Sequence, residues 1–171
     1  MNQFVIADPD KCIGCRTCEV ACVQAHRLGQ SVASLTEKFF SPRLTVIQTA
    51  KISVPIQCRH CEDAPCAKVC PVKAIVQRDR SVQVISNKCI GCKSCIMACP
   101  YGAIELGAAE ADVDGGNKVD AIKCDLCRDT IDGPACIKVC PTKALRKIDE
   151  LKLREGMRNN RNRAAGGAMN F

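Results

Sequence analysis

Sixteen cysteines in 171 residues carry the chemistry of this chain, and they fall into four groups of four with none left over. The first group is Cys12, Cys15, Cys18 and Cys22, spaced C-x2-C-x2-C-x3-C. The second, Cys58, Cys61, Cys66 and Cys70, opens the middle gap to four residues. The third, Cys89, Cys92, Cys95 and Cys99, repeats the first spacing, and the fourth, Cys124, Cys127, Cys136 and Cys140, widens the middle gap to eight. Thiols at this density form disulfides or hold metal. Cysteine above roughly 8–10% marks a disulfide scaffold in a short secreted chain. The opening MNQFVIADPDKC, however, lacks a basic stretch followed by an apolar one, so no secretory signal is read there. In a reducing compartment, regular close spacing points to metal instead. Structural zinc uses two pairs of ligands and has no use for a third cysteine three residues on.

Three of the groups share a tail. Cys70-Pro71-Val72-Lys73-Ala74-Ile75, Cys99-Pro100-Tyr101-Gly102-Ala103-Ile104 and Cys140-Pro141-Thr142-Lys143-Ala144-Leu145 all read C-P-x-x-A-[IL]. The run C-x2-C-x2-C-x3-C-P is the bacterial ferredoxin arrangement for [4Fe–4S] cubes. Two short gaps wind the backbone round one cube so that three thiolates reach three corners. The fourth cysteine is carried away by a short helix and ligates the neighbouring cube, so cubes come in pairs with exchanged ligands. The proline after it stops the helix and redirects the chain. Sixteen thiolates for four cubes leave no iron open for radical chemistry, so the count points to electron transfer, with no catalytic residue of the chain's own.

The shortest linker, residues 71–88, predicts a strand (Ala74 to Val76), a polar turn (Arg78, Asp79, Arg80) and a returning strand (Val82, Val84). Such a hairpin brings Cys70 beside the loop of Cys89, pairing groups two and three and leaving groups one and four to each other. The expected ligand sets are Cys12, Cys15, Cys18 with Cys140; Cys58, Cys61, Cys66 with Cys99; Cys89, Cys92, Cys95 with Cys70; and Cys124, Cys127, Cys136 with Cys22. Iron is bound through these same sixteen residues. Cys22 is followed by Val23 rather than proline, which fits a longer helix from Glu19 to His26. The fold class expected is α+β with little regular structure: two ferredoxin-like two-cluster units, one nested in the other. The outer unit takes residues 1–57 plus 107–148, the inner takes 58–106, and 149–171 form a basic tail.

The formal charge of +7 counts cysteines as neutral; sixteen thiolates and four oxidised cores bring it to about −1. The basic surplus is thus compensation for anionic clusters, not a nucleic-acid surface. One tyrosine, four phenylalanines and no tryptophan also leave no stacking platform for bases. No run approaches the roughly 18 apolar residues of a membrane span, so a cytoplasmic chain without direct membrane insertion is expected. Ile13, Val20, Val69, Ile75, Ile90, Ile96, Ile104, Val139 and Leu145 crowd the ligands and predict a dry shell. All-cysteine ligation predicts potentials on the order of −400 mV by analogy with ferredoxins. His60 lies inside the second group, but four thiolates per cube leave neither it nor His26 needed as a ligand.

Between groups one and two, Phe39, Phe40, Leu44, Val46, Ile52, Val54 and Ile56 predict short strands on either side of Pro42. Residues 107–121 read as an acidic surface loop, and Arg128 to Ala135 as an exposed excursion. The tail combines seven basic residues between Arg146 and Arg163 with an imperfect apolar face of Ile148, Leu151, Leu153 and Met157. It reads as a solvated terminus weakened by Gly156 or as a docking element that orders on a partner or another copy.

Four ferredoxin motifs in this order, with CRHCEDAPC and the widened KCDLC…GPACIKVCP, resemble the four-cluster electron-transfer subunits that accompany molybdopterin oxidoreductases of the dimethyl-sulfoxide-reductase type. The resemblance spans residues 4–148. The opening FVIADPDKCIGCRTCEVAC and the lack of an anchor look most like the small subunits of formate hydrogenlyase and of hydrogen-dependent carbon dioxide reductase. The resemblance implies the same pairing of groups. It also implies partners: a molybdenum or tungsten formate dehydrogenase subunit, and a hydrogenase or second ferredoxin-like subunit. A freely diffusing polyferredoxin and a maturation or scaffold factor for a formate dehydrogenase are the rival readings.

Overall fold

The computed structural model describes residues 1–27, 40–108 and 119–166. Short antiparallel strand pairs and brief helices alternate along it. The strands are β1 (Phe4–Ala7), β2 (Leu44–Gln48), β3 (Ser53–Gln57), β4 (Ile75–Arg78), β5 (Ser81–Val84), β6 (Glu105–Ala108), β7 (Val119–Ile122) and β8 (Leu145–Ile148). The helices are α1 (Thr17–Ala25), α2 (Pro65–Lys68), α3 (Ser94–Ala98), α4 (Ala135–Lys138) and α5 (Glu150–Ala165). Four two-stranded sheets pair β1 with β8, β2 with β3, β4 with β5 and β6 with β7.

The β4–β5 hairpin forms as the linker pattern predicts, with Ile75 opposite Val84 and Arg78 opposite Ser81. Its turn residues Asp79 and Arg80 have φ of 50° and 55°, the left-handed pair whose twist matches the flanking strands. The β1–β8 pair, with Val5 opposite Lys147, brings the two ends of the cysteine-bearing chain together. Below it lies one apolar cluster of Val5, Cys18, Cys22, Leu44, Val46, Leu126, Cys136 and Leu145. A second gathers Ala64, Cys66, Ile75, Val82, Cys95, Ile104 and Ala121. Val5 and Val82 are fully buried, each contributing roughly 1.5–3 kcal/mol. Cysteines contribute to both clusters.

Polar side chains stitch the strands to the loops. Glu19, buried on α1, accepts from the Val46 N–H at 2.6 Å. Gln57 donates to the Val5 carbonyl at 3.0 Å. Buried Asn2 donates to the carbonyls of His60 at 2.9 Å and Cys61 at 3.3 Å, clamping the second cysteine loop.

Some expectations change. Both strands of the first linker follow Pro42 instead of flanking it, because Val46 pairs with Pro55 in a hairpin; Phe39 lies outside the described residues. The ends of the 107–121 segment are strand, since Gly107 pairs with Asp120 across β6 and β7, while residues 109–118 lie outside the described residues. The tail is helical through Gly156. Asp149 caps α5 by accepting from the Lys152 N–H at 3.0 Å, and Glu150 pairs with Arg154 one turn on at 2.6 Å. Every side chain of α5 is exposed or nearly so.

Candidate metal centres

In each group the residue before the second cysteine is left-handed: Gly14 (φ 69°), His60 (48°), Gly91 (66°) and Leu126 (66°). This conformation turns the chain tightly enough for two cysteines with two residues between them to face one centre. At Gly14 a Cβ would displace the Gln48 side chain, whose Nε2 would lie 2.3 Å away, and a φ of 69° would strain any larger residue whatever the space.

The shared tails have one geometry too. The residue three after the last cysteine is left-handed in all three: Lys73 (φ 49°), Gly102 (57°) and Lys143 (52°). That turn aims the next N–H back at the sulfur. Ala74 donates to Cys70 Sγ at 3.2 Å, Ala103 to Cys99 at 3.5 Å and Ala144 to Cys140 at 3.3 Å. The first group lacks this tail, and there the Arg43 N–H donates to Cys22 Sγ at 3.3 Å. Donors aimed at sulfur favour the thiolate that metal requires.

Among the described residues, three small cavities are each lined by four cysteines. One has Cys70, Cys89, Cys92 and Cys95. The next has Cys12, Cys15, Cys18 and Cys140. The third has Cys58, Cys61, Cys66 and Cys99. The thiol of Cys136 is pushed far up by burial and by the sulfurs of Cys124, Cys22, Cys127 and Cys18 around it. All sixteen cysteines are free thiols. Thiolate donor sets, walls that are mostly apolar and N–H groups pointed at sulfur fit [4Fe–4S] clusters and fit neither disulfides nor a zinc pair-of-pairs.

The surroundings differ between groups. Cys15 and Cys92, the second cysteines of groups one and three, are exposed. Hydrogen bonds with Thr17 and Ser94 pull their thiols down. Burial instead pushes Cys18 and Cys66 up to about 11. The apolar shell divides likewise: Ile75, Ile104 and Leu145 are buried, but Ile13 and Ile90 are 64% and 62% exposed, and Val69 and Val139 are partly exposed. The expected dry shell is therefore open at Ile13 and Ile90, because the tight turn at Gly14 and Gly91 throws the preceding side chain outward.

Three polar features beside the cysteines escaped the sequence reading. Asp125 accepts from Arg43 Nη1 at 2.6 Å and from the Cys127 N–H at 2.9 Å, and lies 3.0 Å from His26 Nε2. Burial alone would raise the Asp125 carboxyl, yet the His26 bond and the Arg43 charge hold it well below the usual carboxylate range. Burial likewise opposes the charge on His26, but the bonds to Asp125 and Cys22 raise it to about 10. His60 is 1% exposed, and its Nδ1 accepts from the Val82 N–H at 3.0 Å. The ring proton therefore sits on Nε2, which is buried without an acceptor among the described residues. Buried Lys123 donates to the carbonyls of Val82 and Cys124. Proximity in space was the missing signal: His26 and Asp125 are 99 residues apart in sequence.

Comparison with known proteins gives these cavities a family. The description "4Fe-4S dicluster domain" matches residues 49–150, and "4Fe-4S binding domain" matches residues 9–23. The chain belongs to the 4Fe–4S dicluster family. It is 49% identical to the electron transport protein HydN of Escherichia coli K12, over 96% of this chain and 98% of that one. It is 43% identical to formate hydrogenlyase subunit 2 of the same organism, over 87% of this chain and 83% of that one. The solved active-site complex BamBC of benzoyl coenzyme A reductase with benzoyl-CoA matches at 22% identity and a TM-score of 0.42, covering 94% of this chain and 89% of that one. As a family member the chain is an iron–sulfur protein that binds [4Fe–4S] clusters, with the electron-transport role for which its relatives are named. Among the described residues no helix is long and apolar enough to cross a membrane.

Proposed function

We propose that the chain is a relay subunit with four [4Fe–4S] clusters, exchanging single electrons between a molybdenum or tungsten formate dehydrogenase subunit and a hydrogenase or second ferredoxin-like subunit of a cytoplasmic complex. The ligand sets are Cys12, Cys15, Cys18, Cys140; Cys58, Cys61, Cys66, Cys99; Cys89, Cys92, Cys95, Cys70; and Cys124, Cys127, Cys136, Cys22. Groups two and three form a two-cluster unit nested inside that of groups one and four. The observation that carries this reading is the composition of the cavities: each is lined by three cysteines of one group and the last cysteine of another.

When bound, the clusters supply one-electron oxidation and reduction. The chain's part is to hold and tune. Ala74, Ala103, Ala144 and Arg43 direct N–H groups at ligand sulfur, which stabilises added negative charge. Buried Ile75, Ile104 and Leu145 exclude water from the inner walls. Exposed Cys15 and Cys92, with Ile13 and Ile90 beside them, open groups one and three to partner surfaces. The similarity to formate hydrogenlyase subunit 2 supports the formate and hydrogen partners. No side chain is assigned a catalytic role. The exposed, basic α5 is a further docking element for higher-order assembly.

Anaerobic co-purification from the native host tests this. Formate dehydrogenase and hydrogenase components in the same particle are expected. A lone monomer would favour a diffusing polyferredoxin, and partner activity that survives removal of this chain after maturation would favour an assembly factor.

A further inference from the structure

The one buried ammonium with two carbonyl partners in the described chain sits where two cysteine groups meet. Lys123 is 3% exposed, and its Nζ donates to the carbonyls of Val82 and, at 2.8 Å, of Cys124. Val82 lines the cavity of Cys58, Cys61, Cys66 and Cys99, while Cys124 opens the fourth group. His60 faces the same junction, held by the Val82 N–H. Nδ1 accepts that N–H and carries no proton, so the imidazole adds no second cation. Asp125, the nearest carboxylate along the chain, is committed to Arg43 and His26. Asp120 is also buried and lines the same cavity wall as Lys123.

We propose that Lys123 is a shared tuning residue: its buried charge raises the reduction potentials of the clusters held by the second and fourth groups together, relative to those of the first and third. A buried cation is screened less than a surface one and favours the reduced, more negative cluster. This rests on the four-cluster reading above.

The test is EPR-monitored redox titration of the full chain, purified anaerobically, with iron counted for each variant. Lys123→Gln keeps donors for both carbonyls and removes the charge; Lys123→Arg keeps the charge. In Lys123→Gln two of the four clusters are expected to become at least tenfold harder to reduce at a fixed potential, about 59 mV lower for one electron. The other two stay in place, and Lys123→Arg restores the pair. Gln83 lines the same wall, and Gln83→Glu adds a carboxylate to that wall with Lys123 intact. It is expected to lower the same pair, and it decides the matter should Lys123→Gln not assemble. No shift, a shift of one cluster alone, or an equal shift of all four overturns the proposal. An unaltered chain lacking four cubane signals would instead overturn the cluster reading beneath it.

Discussion

Groups one and three share a spacing and an environment; groups two and four differ in spacing but share another environment. In the first pair a glycine takes the left-handed position (Gly14, Gly91), the second cysteine is exposed, and an isoleucine faces outward. In the second pair the same position is held by a larger side chain, His60 or Leu126, and both are buried. A non-glycine residue there costs roughly 1–2 kcal/mol. The cost is offset by what the side chain does inside: Leu126 fills the first apolar cluster, and His60 ties its loop to β5. One backbone turn thus serves as a port in one pair and as an anchor in the other.

The comparison breaks first at the thiols. Cys136→Ser places a hydroxyl in the most crowded sulfur site. It is expected to cost one cluster and a further 1–3 kcal/mol or so for an unpaired buried polar group. Cys92→Ser, at an exposed ligand, is expected to lose at most about four irons with thermal stability little changed. Iron analysis and thermal melts read both, and equal damage at the two sites would erase the distinction between buried and open groups.

Next in size is Asp125→Ala, which strips a buried carboxylate from Arg43, His26 and the Cys127 N–H. Breaking a buried pair costs roughly 3–5 kcal/mol, to be read as a fall in the urea midpoint at constant slope. The surface pair Lys68–Asp63 provides the contrast, with at most about 1 kcal/mol expected on its removal.

A pH series sharpens the same point. The His26 pKa is raised on folding to about 10, so its contribution is fully present below the unfolded value near 6.5 and is lost as pH rises through about 10. Stability of the intact protein should decline across that window, and His26→Asn should flatten this part of the profile. A profile that His26→Asn leaves unchanged would place the charge elsewhere.

The four groups, the three repeated tails and the β4–β5 hairpin were legible from residue order alone, because each depends on spacing within a dozen or so residues. The β1–β8 pairing and the His26–Asp125–Arg43 network were not. They join segments brought together only by the completed fold, and a lone histidine or aspartate carries no periodic signal. The exposure of Ile13 and Ile90 was misjudged for a local reason: an apolar residue beside a cysteine reads as lining, and only the turn geometry reveals that it points away. In the first linker, counting apolar residues on both sides of Pro42 missed the Val46–Pro55 pairing, which a proline at a strand edge permits.

Two further changes have local effects. Gly91→Ala adds a Cβ 2.9 Å from the Val119 carbonyl at a φ of 66°, for a loss of about 1–2 kcal/mol confined to group three. Removing residues 150–171 should leave iron content and melting unaltered while changing the size of any larger complex on a sizing column. A particle of unchanged size would assign α5 to solvent.

The most direct measurement is the iron content of the anaerobically purified chain, paired with EPR after dithionite reduction. Four cubes predict about sixteen irons per chain and coupled cubane signals. About eight irons would mean that only one of the two pairs is built, and a colourless, EPR-silent protein would contradict the account altogether.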